Sequence, residues 1–357
     1  MKTLSAFIIC AAKQQDNIGS LDQFLTLESQ LQQSGIKPKQ LTIEPLKTDW
    51  HSPEKQNYFR SGCAPIEALA EAKKLIENGE PAVVISGDDH IKTGYSREDR
   101  LKKMAVYGQD YPLTQAYTDL AHVFCENNSI TPKDFKQFSC ALFENYQTSF
   151  RDSLPDIFTP QLLPDQQWYK PLTELFRGVD CANPMVDFSG RLLLTNADIA
   201  KQLNVNKSQW LKVKSVGLSR LDGDGPNYLT DIATYDHLKK AYQQACKEAN
   251  IDFVQLFKSN SALLEVYTCY PVVPMAFLLK SGLVTTLEEI PEFLAKHNIT
   301  ISGGMNLAKA AWNNPALNSL ILMHDRLCNG LKEVGLIHGN GGLGYRQGVA
   351  IVERVKR

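Results

Sequence analysis

None of the eight cysteines, Cys10, Cys63, Cys125, Cys140, Cys181, Cys246, Cys269 and Cys328, stands in a C-x-x-C pair. That absence argues against structural zinc, and in a chain of 357 residues it points to reduced, cytoplasmic thiols rather than a disulfide framework. Also missing is any apolar run near the roughly 18 residues a bilayer span needs, so no membrane span is expected. Neither charge sign is in excess, with 38 basic against 39 acidic residues, which leaves no electrostatic footprint for nucleic acid or a membrane surface. The apolar stretch Leu4 to Ala12 lacks a basic leader and a cleavage site, so it reads as a first strand rather than a signal peptide. What is present, 43% hydrophobic and 22% charged residues, is the composition of an ordinary globular chain. Its length allows two domains or one duplicated α/β body.

The stretch from Phe59 to Asp89 organises the rest. Pro65 suits a first helical turn, where its missing N–H costs nothing. Ile66, Leu69, Ala72 and Ile76 recur at helical spacing, and Asn78-Gly79 ends the run. Ala82 to Ser86 is then a short apolar strand of the kind buried on both faces. Gly62 and Cys63 lie at the helix mouth, where backbone N–H groups and the positive dipole end favour a thiolate or oxyanion. Cys63 is therefore the first candidate for chemistry, against its reading as a small buried hydrophobe.

Elsewhere the pattern alternates. A helix is expected over Ser20 to Gln33, a strand over Leu41 to Leu46 and a polar loop from Lys47 to Asn57. Helical patterns without a good strand run from Tyr95 to about Trp168, chiefly Pro112 to Glu126 and Pro132 to Tyr146. Strands return at Gly190 to Thr195, Lys212 to Leu218, Leu263 to Tyr267, Val334 to Ile337 and Val349 to Arg354. Between them come helices at Tyr228 to Ala249, Met275 to Lys280 and Leu307 to Cys328. Alternation of this kind predicts a substantially parallel, buried sheet.

Gly339, Gly341 and Gly344 satisfy G-x-G-x-x-G, but a dinucleotide site needs a helix and a later acidic residue. The segment after Gly344 is strand-like and only thirteen residues long, so these glycines read as a tight connection between the last two strands. His338 before them is a proton-moving or a packing residue. Asn313 and Asn314, ahead of Pro315, either donate to an oxyanion or cap the helix that starts there.

These segments, in order, resemble the thiolase superfamily over nearly the whole chain. Counted back from Gly79 without a gap, the family's nucleophile position falls on Gly62, with Cys63 one residue later. His338 stands where the family has a second cysteine, Asn313-Asn314 where it has Gly-His, and Tyr267 where an Asn or His fixes a water. The Asn-Asn pair, Cys269 and Gly-Asn-Gly-Gly are similar to a branch related to sterol-carrier thiolases. The resemblance implies a layered αβαβα fold of two similar halves, 1–185 and 186–357, with a helical loop region over about 92–170. It implies an acyl-CoA acyltransferase of the acetyl-CoA acetyltransferase type, with coenzyme A or acyl-CoA as substrate and no permanently bound cofactor. Cys63 would carry the acyl group and His338 move the proton. Asn314, Asn313, Gly62, Asn340 and Tyr267 would serve the oxyanion or position water. The alternative is a non-catalytic subunit that binds acyl-CoA or a partner. A homodimer or higher homo-oligomer is implied, with the strand after the nucleophile segment pairing across the two-fold, and a small accessory subunit is a further possible partner.

Overall fold

The computed structural model describes residues 4–47, 49, 55–154 and 157–356. Most of the expected polar loop from Lys47 to Asn57 lies outside them. Strand β1 (Phe7–Gln15), hairpin strand β2 (Ile18–Ser20), helix α1 (Asp22–Gln33), strands β3 (Lys39–Ile43) and β4 (Tyr58–Phe59), helix α2 (Ala64–Glu77) and strand β5 (Ala82–His90) open the chain. Helices α3 (Arg97–Met104), α4 (Leu113–Asn127) and α5 (Pro132–Ser153) form the inserted region before β6 (Asp187–Thr195). Then come α6 (Ala197–Gln202), β7 (Leu211–Arg220), α7 (Leu229–Ala233), α8 (Asp236–Ala249), α9 (Phe253–Lys258) and β8 (Ala262–Glu265). Helices α10 (Val272–Ser281), α11 (Ile290–Leu294), α12 (Gly304–Leu307) and α13 (Pro315–Asn329) precede the last strands, β9 (Val334–Gly341) and β10 (Arg346–Arg354).

The strands form one sheet in the order β4-β3-β5-β6-β1-β7-β10-β9-β8, with β2 paired to β1. The order on either side of the β1–β7 junction is nearly a mirror image, and the pairing senses repeat. β3–β5 and β8–β9 are parallel, β5–β6 and β9–β10 antiparallel, and β6–β1 and β10–β7 antiparallel. The two halves are thus one topology used twice, which no repeat in the sequence discloses. The pairing sets β6 with the first half, whereas a division at 185/186 assigns it to the second.

The expectation of a substantially parallel sheet needs correction. In each half the last strand runs against its neighbours and is inserted between them, so parallel ladders survive only toward the two edges. The strand expected to pair across a two-fold, β5, is flanked by β6 along its whole length and by β3 over Val83–Gly87, so on the β3 side Ala82 and Asp88–His90 lack a strand partner among the described residues. The expected helix over Tyr228 to Ala249 is broken at Tyr235, a buried residue with φ 50 that separates α7 from α8.

Alternation along the strands distributes the core. Ile85, Leu192, Leu194, Ile337, Ala350 and Val352 meet α2 and α13 in a middle layer. Their sequence neighbours Val84 and Leu193 face α1 and α6, and Val349, Ile351 and Leu336 face α8 and α10. The result is a layered αβαβα body with α2 and α13 between the two halves of the sheet. Among the described residues no helix is long and apolar enough to cross a membrane.

Candidate functional site

The mouth of α2 is pressed against β9 and β10, and glycine permits it. A Cβ at Gly339 would come 2.8 Å from Ile66 Cγ1, and one at Gly348 would come 2.8 Å from Cys63 Sγ. Gly339 and Gly341 are therefore not in the turn, as the sequence pattern has them. They lie inside β9 so that a helix can pack directly on the strand, and the turn proper begins at Gly342.

Asn313 braces this mouth. Its Oδ1 accepts from the Ser61 N–H at 3.1 Å and its Nδ2 donates to the Glu44 carbonyl at 2.8 Å. Ser61 itself sits at φ 92, a backbone position rarely taken by a residue with a side chain, and its hydroxyl accepts from the Cys63 N–H at 3.2 Å. The consequence of this turn is that Gly62, not Cys63, faces the large cavity. A Cβ at Gly62 would lie 2.0 Å from Tyr267 Oη and 2.3 Å from the Asn340 carbonyl oxygen, so no side chain fits there.

Cys63 occupies the N-cap position of α2, yet its side chain points into packing. It is 1% exposed, belongs to the layer between the sheet halves and does not line the cavity. Burial, with Glu67 adding to it, pushes the thiol well above its usual range, and Arg346 opposes this only partly. The lowered thiol pKa expected at a helix mouth is thus overridden by desolvation.

His338 is buried behind the same floor. Its Nδ1 accepts from the Tyr267 backbone N–H at 3.4 Å, which leaves Nε2 to donate to Gln347 Oε1 at 2.7 Å. Both nitrogens are committed in the neutral form, and burial lowers the imidazole to about 4. Gln347 passes the network on by donating to Asn340 Oδ1 and to the Gly344 carbonyl. Asn340 Nδ2 reaches Tyr117 Oη at 3.4 Å, and the Tyr117 hydroxyl donates to the Gly342 carbonyl at 2.8 Å.

Asn314 is on the other side of the brace. It lies against Gly87 of β5 and Leu317, is 1% exposed, and makes no side-chain cap to α13. Neither its Oδ1 nor its Nδ2 has a partner among the described residues. The structure therefore brings Gly62, Tyr267 and Asn340 together on the cavity floor. It sets Cys63 and His338 beneath that floor, Asn313 beside it and Asn314 away from it.

The cavity is about 760 Å³. Above the floor it is walled by Tyr117, Tyr270, Cys181, Cys269, Met305 and Trp312, and toward the mouth by α3, the start of α4, Trp168 and Leu172. Tyr117 stacks on Tyr270 with ring centres 4.0 Å apart. Burial, above all, raises the Tyr267 hydroxyl well beyond its ordinary range, so it is a protonated donor at neutral pH. The aromatic wall residues carry no sequence signal of their own: Tyr117 sits on a helical stripe that looks the same whether it faces core or cavity, and Tyr270 and Trp312 stand in connections without periodicity.

Glu265 is a further residue that sequence reasoning misses, although a lone carboxylate in an apolar strand is a readable signal. It accepts from the Ile301 and Ser302 N–H groups and from the Ser302 hydroxyl, fixing the turn that carries Gly303, Gly304 and Met305. Burial raises this carboxyl to about 7 against those hydrogen bonds.

The fold that carries this cavity is thiolase-like. Three solved structures share the fold across nearly all of this chain. A monomeric SCP2-thiolase like protein type 1 from Mycobacterium smegmatis matches at 13% identity and TM-score 0.69, over 100% of this chain and 79% of its own. The Ltp2-ChsH2(DUF35) aldolase matches at 15% identity and TM-score 0.67, over 99% of each chain. Acat5 thiolase from Ascaris suum, solved in complex with coenzyme A, matches at 11% identity and TM-score 0.59, over 98% of this chain and 100% of its own. No protein-family profile matches the sequence, and no curated protein does.

Proposed function

We propose that this chain binds an acyl thioester of coenzyme A in the cavity above Gly62 and carries no acyl group on Cys63. One observation supports this above the others. The place where a nucleophile's Cβ would stand is filled by the Tyr267 hydroxyl and the Asn340 carbonyl. Acyl transfer through Cys63 is supported less, since its sulfur would have to leave the packing against Ile66 and Gly348 and ionise against a raised pKa. The bound coenzyme A of a thiolase with this fold supports the ligand class. The test is to incubate the protein with acetyl-CoA and read both intact mass and melting temperature. Ligand binding only to the native state stabilises it by about 2.7 kcal/mol at a hundredfold excess over Kd. Thermal protection without a covalent adduct is expected. An acetyl adduct on the Cys63 peptide returns the acyltransferase reading, and no protection by coenzyme A or its esters removes both.

A second reading is favoured by Tyr267. Its hydroxyl is protonated, stands on the cavity floor and would donate to a thioester or enolate oxygen, which serves aldol-type carbon–carbon chemistry without an acyl-enzyme. An aldolase among the structures of this fold supports it. Release of a carbonyl compound from a β-hydroxyacyl-CoA, lost in Tyr267→Phe, would establish that activity. A homodimer through the end of β5, Asp88–His90, remains the proposed assembly, and an accessory subunit of the kind named with that aldolase is a further proposed partner. Light scattering giving a monomer mass for the purified chain would remove the homodimer.

A further inference from the structure

We infer that the hollow between the end of α5 and the edge strand β8 is a second binding site, which takes a small hydroxylated oxyanion of the sugar-phosphate or sugar-acid class. It measures about 430 Å³ and shares no lining residue with the cavity above Gly62. Its walls are the last turn of α5, β8 at the rim of the sheet, the connection over 295–301 and Arg326 of α13. That connection is braced from behind by Asn145, which is 4% exposed. Asn145 Nδ2 donates to the Leu294 and His297 carbonyls at 2.8 and 2.9 Å, and its Oδ1 accepts from the Ile299 N–H at 3.1 Å. A connection held in this way presents its side chains in set positions before any ligand arrives.

Helix α13 and the braced connection supply unused donors. Arg326 is half-buried, and its guanidinium has no hydrogen-bond or ion-pair partner among the described residues. A planar fork left free in this way suits a carboxylate or phosphate, which it engages through two parallel bonds. The His297 ring lies against Phe257 and Phe293, with ring centres 5.7 and 4.9 Å away, and neither of its nitrogens has a hydrogen-bond partner among the described residues. Burial, then Lys258 and Lys296, lowers its pKa, so the ring is neutral at pH 7 in electropositive surroundings. Thr300 is 2% exposed, and its hydroxyl also lacks a partner among the described residues. The end of α5 supplies acceptors instead. Ser149 and Ser153 donate to the Asn145 and Phe150 carbonyls at 3.2 and 2.8 Å, which leaves their oxygens free only to accept. Asp152, the one acid of the lining, accepts from Asn298 at 3.4 Å and keeps further lone pairs. A bare anion would meet Arg326 but leave these acceptors unmatched and face Asp152. An acid group for Arg326 joined to hydroxyls for α5 answers both, and about 430 Å³ is room for a molecule of that size.

Calorimetric titration of the whole protein at pH 7 with ribose 5-phosphate, gluconate, inorganic phosphate and ribose tests this. At least one of the two hydroxylated anions is expected to bind about tenfold or more tightly than both inorganic phosphate and ribose, and which of them does so separates a phosphate ester from a carboxylate. Arg326→Gln removes the partner of the acid group and is expected to weaken that ligand about tenfold or more. His297→Phe keeps a ring against Phe257 and Phe293 and is expected to weaken it about threefold or more. Lys133→Gln removes an exposed charge at the far end of α5 and is expected to leave the affinity unchanged. Affinity matched by inorganic phosphate or by ribose overturns the inference, as does binding that Arg326→Gln and His297→Phe both leave intact or that Lys133→Gln weakens as much as Arg326→Gln. If neither hydroxylated anion binds, the inference falls as well.

Discussion

Substituting alanine at Gly62 measures directly whether the space above this glycine is closed to a side chain. The new Cβ would sit 2.0 Å from Tyr267 Oη, 2.6 Å from Tyr267 Cζ and 2.3 Å from the Asn340 carbonyl oxygen, where ordinary contacts begin above 3 Å. Tyr267 is 7% exposed and cannot swing aside freely, and Asn340 is held in the β9–β10 ladder opposite Gln347. Overpacking a rigid site of this kind costs about 1–3 kcal/mol, and two obstructions put Gly62→Ala toward the upper end. Tyr267→Ala removes one obstruction and leaves the other. In urea denaturation the double variant should then be more stable than the sum of the single losses by about 1 kcal/mol, a coupling within the range found for residues in contact. A neutral Gly62→Ala, or strictly additive losses, would refute the reasoning, because either result means that Tyr267 does not occupy the space.

Burial sets two further expectations. Cys63 should react with a neutral thiol reagent more slowly in the native protein than the half-buried Cys140, since its sulfur is enclosed and its ionisation suppressed; preferential labelling of Cys63 at pH 7 would contradict its placement. His338 should make stability fall in mild acid. Its folded pKa is depressed to about 4 from 6.5, so the stability it supports is complete above pH 6.5 and lost as pH falls through 4, roughly 3 kcal/mol in all. Asp89 and Glu265 act with the opposite sign. Burial raises them to about 6 and about 7, so their share is full below their unfolded values near 4 and disappears as pH rises through those folded values. The His338 effect must therefore be read as the difference between wild type and His338→Gln, and a difference that stays flat between pH 4 and 6.5 refutes the assignment.

Much of the fold is legible in the sequence because the elements advertise themselves. Pro65, the apolar stripe of α2 and the stop at Asn78-Gly79 give that helix within a residue, and the alternating segments give the strands. Direction is not legible, since a strand that reverses between two neighbours has the same apolar composition as one that does not. The site is legible in part. Counting back from Gly79 puts Gly62 where the family it resembles has its nucleophile, and in the structure Gly62 lines the cavity while Cys63 does not. Which way Cys63 turns depends on Ser61 taking a left-handed backbone and on Asn313 holding it there, a contact across 252 positions that no local pattern carries. The glycines of β9 read as a turn because spacing does not distinguish a tight connection from a strand that must admit a helix.

The altered positions around the floor depend on one another, and that dependence bears on function. A tyrosine at 267 of this geometry requires a residue without a side chain at 62, and glycine is what stands there. With no nucleophile at 62, an imidazole at 338 has no proton to take from it, and both its nitrogens are instead tied to Tyr267 and Gln347. Gln347 in turn fixes Asn340, whose carbonyl closes the space over Gly62 and whose amide meets Tyr117 in the cavity wall. Cys63 is accommodated only because position 348 is glycine. Random decay of a cysteine-based site would leave buried polar groups unpaired, as Asn314 is. Here the floor is satisfied almost throughout while the cavity above it stays open, as the proposed binding of a thioester without an acyl-enzyme requires.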